Sequence, residues 1–173
     1  MQLIEHIELG STTASIVFDE IPDTFTDLLI LFSGRGASGS DFEIRINGST
    51  VNHSDRRLYG SGSTALSSAN VGGVDAIFIG DISRDTDTSN TFGNSQIYIP
   101  NYRAAQGKSV SVDTVSENNA TQAFQHIIAG LWNDTAAITS VTIQGRTGSN
   151  LVQYSSATLY GITAGSDGIV AVS

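Results

Sequence analysis

Leu28, Leu29, Ile30, Leu31 and Phe32 run without a polar break between a turn-forming stretch and Ser33-Gly34. Pro22 has a fixed φ, and Asp23, Thr24, Thr26 and Asp27 carry side chains that bond to nearby backbone, so the stretch before the run is a turn. The run is too short for an ordinary helix and reads as a strand. An antiparallel strand with one wet face alternates, and this one does not. Its outer face is therefore expected to be covered, by another part of the chain or by a second subunit. The clearest one-sided strand follows, where Phe42, Ile44 and Ile46 alternate with Glu43, Arg45 and Asn47. Asn47-Gly48 after it is a hairpin dipeptide, because both residues tolerate a positive φ.

The remaining apolar positions predict further strands. Residues 2–9, with Leu3, Ile4, Ile7 and Leu9, predict an edge strand or arm over 1–9, and 15–18 a second strand. A partner strand after Asn47-Gly48 would pass through Val51, but 52–57 is polar and its pairing loses definition. Residues 60–73 are Gly, Ser, Ala and Asn with few large side chains, which predicts a long surface loop. Strands are expected at 76–79 and at 96–99, with the polar loop 81–94 between them. Pro100 suits the strand end, since it removes a ladder donor. Residues 109–115 alternate around Val110, Val112 and Val115, a turn at 117–119 follows, and 123–132 returns. Ile138, Val141 and Ile143, then 157–162, give the last strands, and 165–173 reads as a C-terminal tail. The sum is eight or nine strands with no helix. That pattern predicts one all-β domain over 1–173, a two-sheet antiparallel β-sandwich, jelly-roll-like, with about eight strands.

Composition narrows the function. A chain of 173 residues buries roughly 70% of its unfolded surface without staples. It has no cysteine, so disulfides and thiolate chemistry are excluded. The net charge of −9 disfavours tracking of nucleic-acid phosphates, and only Arg56 and Arg57 of the cations are adjacent. No apolar run approaches the ~20 residues of a membrane span, and the N-terminus lacks the pattern of a signal peptide, so no membrane insertion is expected. A single lysine among eight cations leans towards a packed assembly, because interfaces favour arginine.

Candidate chemistry is sparse. Gly34-Arg35-Gly36-Ala37-Ser38-Gly39 matches a dinucleotide fingerprint, but an alternating strand follows it where the phosphate-binding helix belongs, so it reads as a loop. Asp85-Thr86-Asp87-Thr88-Ser89 resembles the start of a calcium loop. It lacks the glycine at its sixth position and the terminal glutamate, leaving Asp81, Asp85 and Asp87 as weak calcium candidates. His6, His53 and His126 have no metal spacing, and His53-Ser54-Asp55 are strand neighbours that cannot converge as a triad. A pair of acids meeting from distant strands is not singled out among the seventeen. Sequons at Asn47, Asn52, Asn119 and Asn133 fit chance in a Ser/Thr/Asn-rich chain. Leu3, Ile4, Tyr98, Tyr102 and Trp132 are the interface or ligand-contact candidates. The aromatics among them, with Tyr59 and Tyr160, either stack on sugars or pack. No catalytic residue, cofactor or resident metal is assigned, and no enzyme activity is expected.

Several phrases occur together and in order: IPDTFTDLLILFSGR at 21–35, FEIRING at 42–48, IYIPNY at 97–102, KSVSVD at 108–113, LWNDTAAITSVTI at 131–143 and SSATLYGI at 155–162. The set resembles a family of small β-sandwich virion proteins of tailed bacteriophages, cyanophages among them, over most of the chain. Phe25 stands where that family's phrase has tyrosine, a conservative change. The resemblance implies a jelly-roll-like, often trimeric protein on the particle surface, and it supplies no catalytic residue. It implies a capsid cement (decoration) protein that partners the major capsid protein or other virion proteins. The alternative is a receptor- or glycan-binding module of a fibre or tailspike. The length, with no stalk or shaft repeat, favours the cement reading.

Overall fold

Alternation of side chains across paired strands organises the chain. The computed structural model describes residues 1–119 and 123–164, with the backbone alone at 71–73; the tail expected at 165–173 lies outside them. The strands in chain order are β1 (Gln2–Glu8), β2 (Ser15–Phe18), β3 (Asp27–Gly36), β4 (Asp41–Ile46), β5 (His53–Ser61), β6 (Thr64–Val74) and β7 (Ile77–Asp81). They continue as β8 (Ser83–Arg84), β9 (Gly93–Ile99), β10 (Lys108–Ser116), β11 (Phe124–Trp132), β12 (Val141–Gly145) and β13 (Ser156–Ile162). The fold is an all-β, jelly-roll-like sandwich of two sheets. The large sheet runs β1-β13-β3-β9-β10-β11-β5-β6, with β8 attached beside β3, and the small sheet runs β2-β12-β4-β7. Pairing is antiparallel except between β3 and the two-residue β8.

The core lies between the sheets. In β10, Val110, Val112 and Thr114 are buried while Ser109, Ser111 and Asp113 are exposed, the inward-outward alternation that its sequence predicts. In β3, Leu28, Ile30 and Phe32 enter the core beside Ile97, Ile99 and Leu159, and the small sheet contributes Phe18, Ile44, Ile46, Val141 and Ile143.

The structure corrects four expectations. There are more strands than eight or nine, because three lie in stretches whose composition reads as loop: β5, β6 and β8. Residues 60–73, expected as a surface loop, are the β5-β6 hairpin instead, paired from His53↔Val74 to Ser61↔Thr64. Small polar side chains suffice there because β6 is a sheet edge with little to bury. The polar stretch 52–57 holds the start of β5, because its inward polar groups find partners: Asp55 accepts from Asn70 Nδ2 at 3.0 Å and from the Phe78 N–H at 3.3 Å. Asn47-Gly48 does form a tight turn, with φ of 51° and 64° and the Ser49 N–H on the Ile46 carbonyl at 2.9 Å. It does not close a hairpin. β4 pairs with β12 and β7, and the turn carries the chain from the small sheet to the large one.

Lys108 and His53 are sunk into the fold. Lys108 is buried and donates to the carbonyls of Gln106 (2.6 Å), Ala136 (2.8 Å) and Asp134 (3.3 Å), tying down the loop after β11. Burial pushes its ammonium below the ordinary lysine range, opposed by the charge of Asp134.

His53 is also buried, stacked on Trp132 with centroids 6.3 Å apart, and neither ring nitrogen has an aligned hydrogen bond. Burial lowers its pKa from 6.5, the charge of Arg45 lowers it further, and the Val74 backbone and the charge of Asp75 act the other way. The unfolded chain therefore binds the proton first. Stability falls as pH drops below about 6.5 and continues to fall until the lower folded pKa is reached, by at most ~1.4 kcal/mol per pH unit. His53→Phe keeps the stack and removes the titration, so urea midpoints between pH 7.5 and 5 are expected to fall less steeply than in the parent. Equal slopes would show that His53 is not the group responsible.

Candidate interaction face

The strand register sets the outer face of the large sheet in rows. One row passes through Leu3, Tyr160, Leu29, Tyr98, Ser111, Ala129, Arg56 and Ala69, each opposite the next across the sheet. The next row, two residues along each strand and three along β1, where the register shifts, is His6, Thr158, Leu31, Gln96, Asp113, Ile127, Leu58 and Ser67. Two apolar patches result, separated by the polar side chains of β9 and β10. The first gathers Leu3 (54% exposed), Leu29, Leu31 (40%), Tyr98 and Tyr160 on β1, β13, β3 and β9. The second gathers Ile127 (61%), Leu58 (65%) and Leu131 on β11 and β5. Around it lies a groove of about 520 Å³ lined by Arg56, Leu58, Ser67, Ala69, Ile127 and Ala129, among others. On the outer face of the small sheet only Val17 is an exposed large apolar residue, among the described residues.

The cover expected over β3 is therefore absent from the described chain. Leu29 is half-buried and Leu31 stays open, so no described segment covers that side of β3. Tyr98 is fixed in place, its hydroxyl donating to Asp27 Oδ2 at 2.9 Å. Burial and the Asp27 carboxylate raise its pKa above the ordinary tyrosine value.

The most polar cluster in the fold lies on the opposite side, under the overlap of the two sheets. Asp41 on β4 pairs with Asp81 on β7, and Ser40 Oγ donates to Asp81 Oδ1 at 3.0 Å. Asp81 Oδ2 lies 2.9 Å from His126 Nε2, a close ion-pair contact without hydrogen-bond alignment. The His126 ring is stacked between Tyr59 and Phe124, at 5.1 and 5.8 Å, and meets Phe78 edge-on. Arg57 lies 4.0 Å above the Phe78 ring. Burial raises the Asp41 pKa, and its hydrogen bond with Asp81 and the charge of Asp81 raise it further. Burial also acts to raise Asp81, but the close approach of His126, with Asp41 and Ser40, outweighs it and holds Asp81 below the usual carboxylate value. Of the two, Asp41 therefore takes up a proton first as pH falls. Sequence reasoning did not single out Asp41, and only the β4-β7 register reveals it. Ser40 Oγ also lies 3.4 Å from Asp41 Oδ1, so one hydroxyl bridges the two carboxyls. His126 has no exposed surface, while Asp81 keeps 15% of its side chain exposed. The cluster works as a polar pin between the sheets.

The calcium candidates separate. Asp81 belongs to that pin, while Asp85 and Asp87 sit on the 85–91 loop, whose carbonyls turn inward onto the Arg35 guanidinium. The loop does wrap a cation, but the cation is a side chain of the protein itself. Among the described residues no group of three His, Asp or Glu is placed to hold a metal.

No family model matches this sequence, and no curated protein matches it. Among solved structures, the fold is similar to a Caenorhabditis elegans galectin, LEC-6, at 13% identity and a TM-score of 0.40, covering 90% of this chain and 95% of that one. It is also similar to CG-16, a homodimeric agglutinin from chicken liver, at 10% identity and a TM-score of 0.27 over 73% of this chain and 98% of that one. Lactose- and MES-liganded congerin II matches at 17% identity and a TM-score of 0.25 over 75% of this chain and 99% of that one. No residue role passes from them to this chain.

Of the contact candidates, the structure brings Leu3 and Tyr98 into one row of the outer face. Ile4 is partly buried against the core. Trp132 and Tyr102 are corrections: they are 2% and 0% exposed, and neither offers a ring to a ligand. Trp132 points inward because it shares the strand phase of His126 and Ile128. Tyr102 follows β9 in a turn and donates its hydroxyl to the Pro22 carbonyl. Tyr160, which the sequence offers only as one of several aromatics, and Leu29, which it offers only within the apolar run, join Leu3 and Tyr98 in that row. Their signal is the strand order, which joins residues far apart in sequence.

Proposed function

We propose that this chain is a structural protein of a phage virion, a capsid cement protein that binds the outside of the head as an oligomer, most simply a trimer. The observation that carries the proposal is the outer face of the large sheet. There, leucines, an isoleucine and two tyrosines lie exposed or half-buried in two patches over six strands. A face of that kind is stable in water only at a cost, and it gains when buried against a second protein. The order of phrases shared with phage virion proteins supplies the particle as the setting. The partners on this reading are the major capsid protein and further copies of the chain, and the location is the particle surface.

Light scattering on purified protein tests the oligomer, with a trimer expected at micromolar concentration. Binding to isolated phage heads tests the face. Leu31→Glu combined with Leu3→Glu is expected to weaken head binding ~100-fold while leaving the circular dichroism unchanged. A stable monomer, or a double variant that binds heads as tightly as the parent, overturns the reading.

A further inference from the structure

We propose that the open edge of β6 takes strand β1 of a second copy, so that the large sheet continues from subunit to subunit. The inference rests on the oligomeric reading above and names the surfaces that build it.

β6 is the last strand of the large sheet and is bonded on one side only, to β5. No backbone hydrogen bond from residues 64–70 goes elsewhere, among those described. Eleven residues, TALSSANVGGV, form this edge without one charge or proline. Soluble proteins protect such edges with lysine, proline, bulges or a covering segment; the β5-β6 register shifts between His53 and Asp55, opposite 70–74, which leaves 64–70 as the regular edge and a template for another strand. The outward side chains Ala65, Ser67 and Ala69 are small. They leave the groove beside Leu58, Ile127 and Arg56 open from the edge.

The opposite edge of the same sheet supplies the occupant. β1 is QLIEHIE, bonded only to β13. It presents exposed Leu3 together with exposed Glu5 and Glu8, and a register irregularity between Leu3 and Glu5. Two copies of β1 facing each other would set carboxylates against carboxylates. The neutral β6 edge, with Arg56 one strand behind it, carries no such penalty and adds an attraction. Strand direction agrees as well. The path from β1 to β6 has eight strands, each antiparallel to the next, so a following subunit in the same orientation brings its β1 antiparallel to β6. The contact is between two different surfaces. Repeated around an axis it closes into a ring, and a ring of three matches the proposed oligomer.

The chain has no cysteine, so single cysteines report the contact directly. His6 on β1 and Ala65, Ser67 or Ala69 on β6 share the outer face, and neighbouring strands place such side chains within disulfide reach. His6→Cys protein is mixed in turn with Ala65→Cys, Ser67→Cys and Ala69→Cys protein under mild oxidation. At least one mixture is expected to give ~10-fold more covalent dimer than either variant alone, and His6→Cys combined with that partner in one chain should yield a covalent trimer. Self-linking of the β6 variants without mixed linking overturns the inference. So does an oligomer, seen by light scattering, in which no pair links; in both cases the oligomeric reading stands. A parent protein that is monomeric and never links overturns both.

Discussion

Arg35→Met is expected to lower the stability of this protein by about 3 kcal/mol, seen as a fall in Tm of roughly 6–12 °C. Arg35 is buried near the end of β3. Its Nη1 donates to the Thr88 carbonyl at 2.9 Å, the Thr91 carbonyl at 2.8 Å and Thr91 Oγ1 at 3.1 Å. Its Nη2 donates to the carbonyls of Asp87 at 3.1 Å and Asp85 at 3.4 Å. The guanidinium is thus the point around which the 85–91 loop closes, and methionine fills the volume without supplying a donor. The loop carbonyls must then find water or move. Arg35→Lys restores only part of the loss, because one ammonium cannot span the two ends of a planar fork. Urea denaturation measures the loss, and limited proteolysis within 85–91 locates it: cleavage should speed up well before global unfolding. A methionine variant within ~1 kcal/mol of the parent, with the loop still resistant, would sink this account of the loop.

The same loop shows what the sequence can and cannot convey. Spaced side-chain oxygens at 85–89 suggest a calcium loop, but it is mainly the backbone carbonyls of 85–91 that close, and they close around Arg35. The spacing cannot say that the cation is an arginine fifty residues away in the chain, because that depends on where β3 passes. Alternation in β4 and β10 is readable because each strand has one wet face and one dry one. β5 hides itself by the reverse logic. Its inward residues are His53, Asp55, Arg57 and Tyr59, which look solvent-bound until Trp132, Asn70 and Phe78 meet them from other strands. β6 is hidden because an edge strand buries little, so no apolar pattern is required of it.

The candidate face was half legible. A non-alternating β3 leads to the expectation of cover on both faces, whereas Leu31 is open on the outer one with no described segment over it. Which residues share the face depends on strand order, and the sequence does not contain it in local form. Trp132 is the instructive error. Rarity and size suggested contact, whereas strand phase with Ile128 dictates burial, and phase was available once the inward face of β11 was known. Trp132→Ala would therefore damage the core and report nothing about a ligand.

Gly36→Ala should cost about 3 kcal/mol or more, although the position looks like the most dispensable kind of loop glycine. The chain turns back immediately after β3, and a Cβ at Gly36 would lie 1.9 Å from the Gly39 carbonyl oxygen. A clash with a flexible side chain is relieved by a rotamer change, but this one is with backbone, and the backbone is held. Ser149 Oγ accepts from the N–H groups of Gly39 at 3.0 Å and Ser38 at 3.3 Å, and donates to the Gly39 carbonyl at 3.3 Å. Ser149 is itself buried, so the 37–40 turn cannot swing outward without breaking all three bonds. Gly36 of the G-x-G-x-x-G phrase thus has a packing explanation, the close return of the chain on itself. Gly10→Ala is the matched control, since a Cβ there meets nothing within 4 Å, and its stability should stay within ~0.5 kcal/mol of the parent. Ser149→Ala combined with Gly36→Ala should lose less than the sum of the two single losses, because freeing the turn lets it yield to the new methyl group. Strict additivity in urea denaturation, or a Gly36→Ala protein as stable as Gly10→Ala, would contradict a turn clamped in this way.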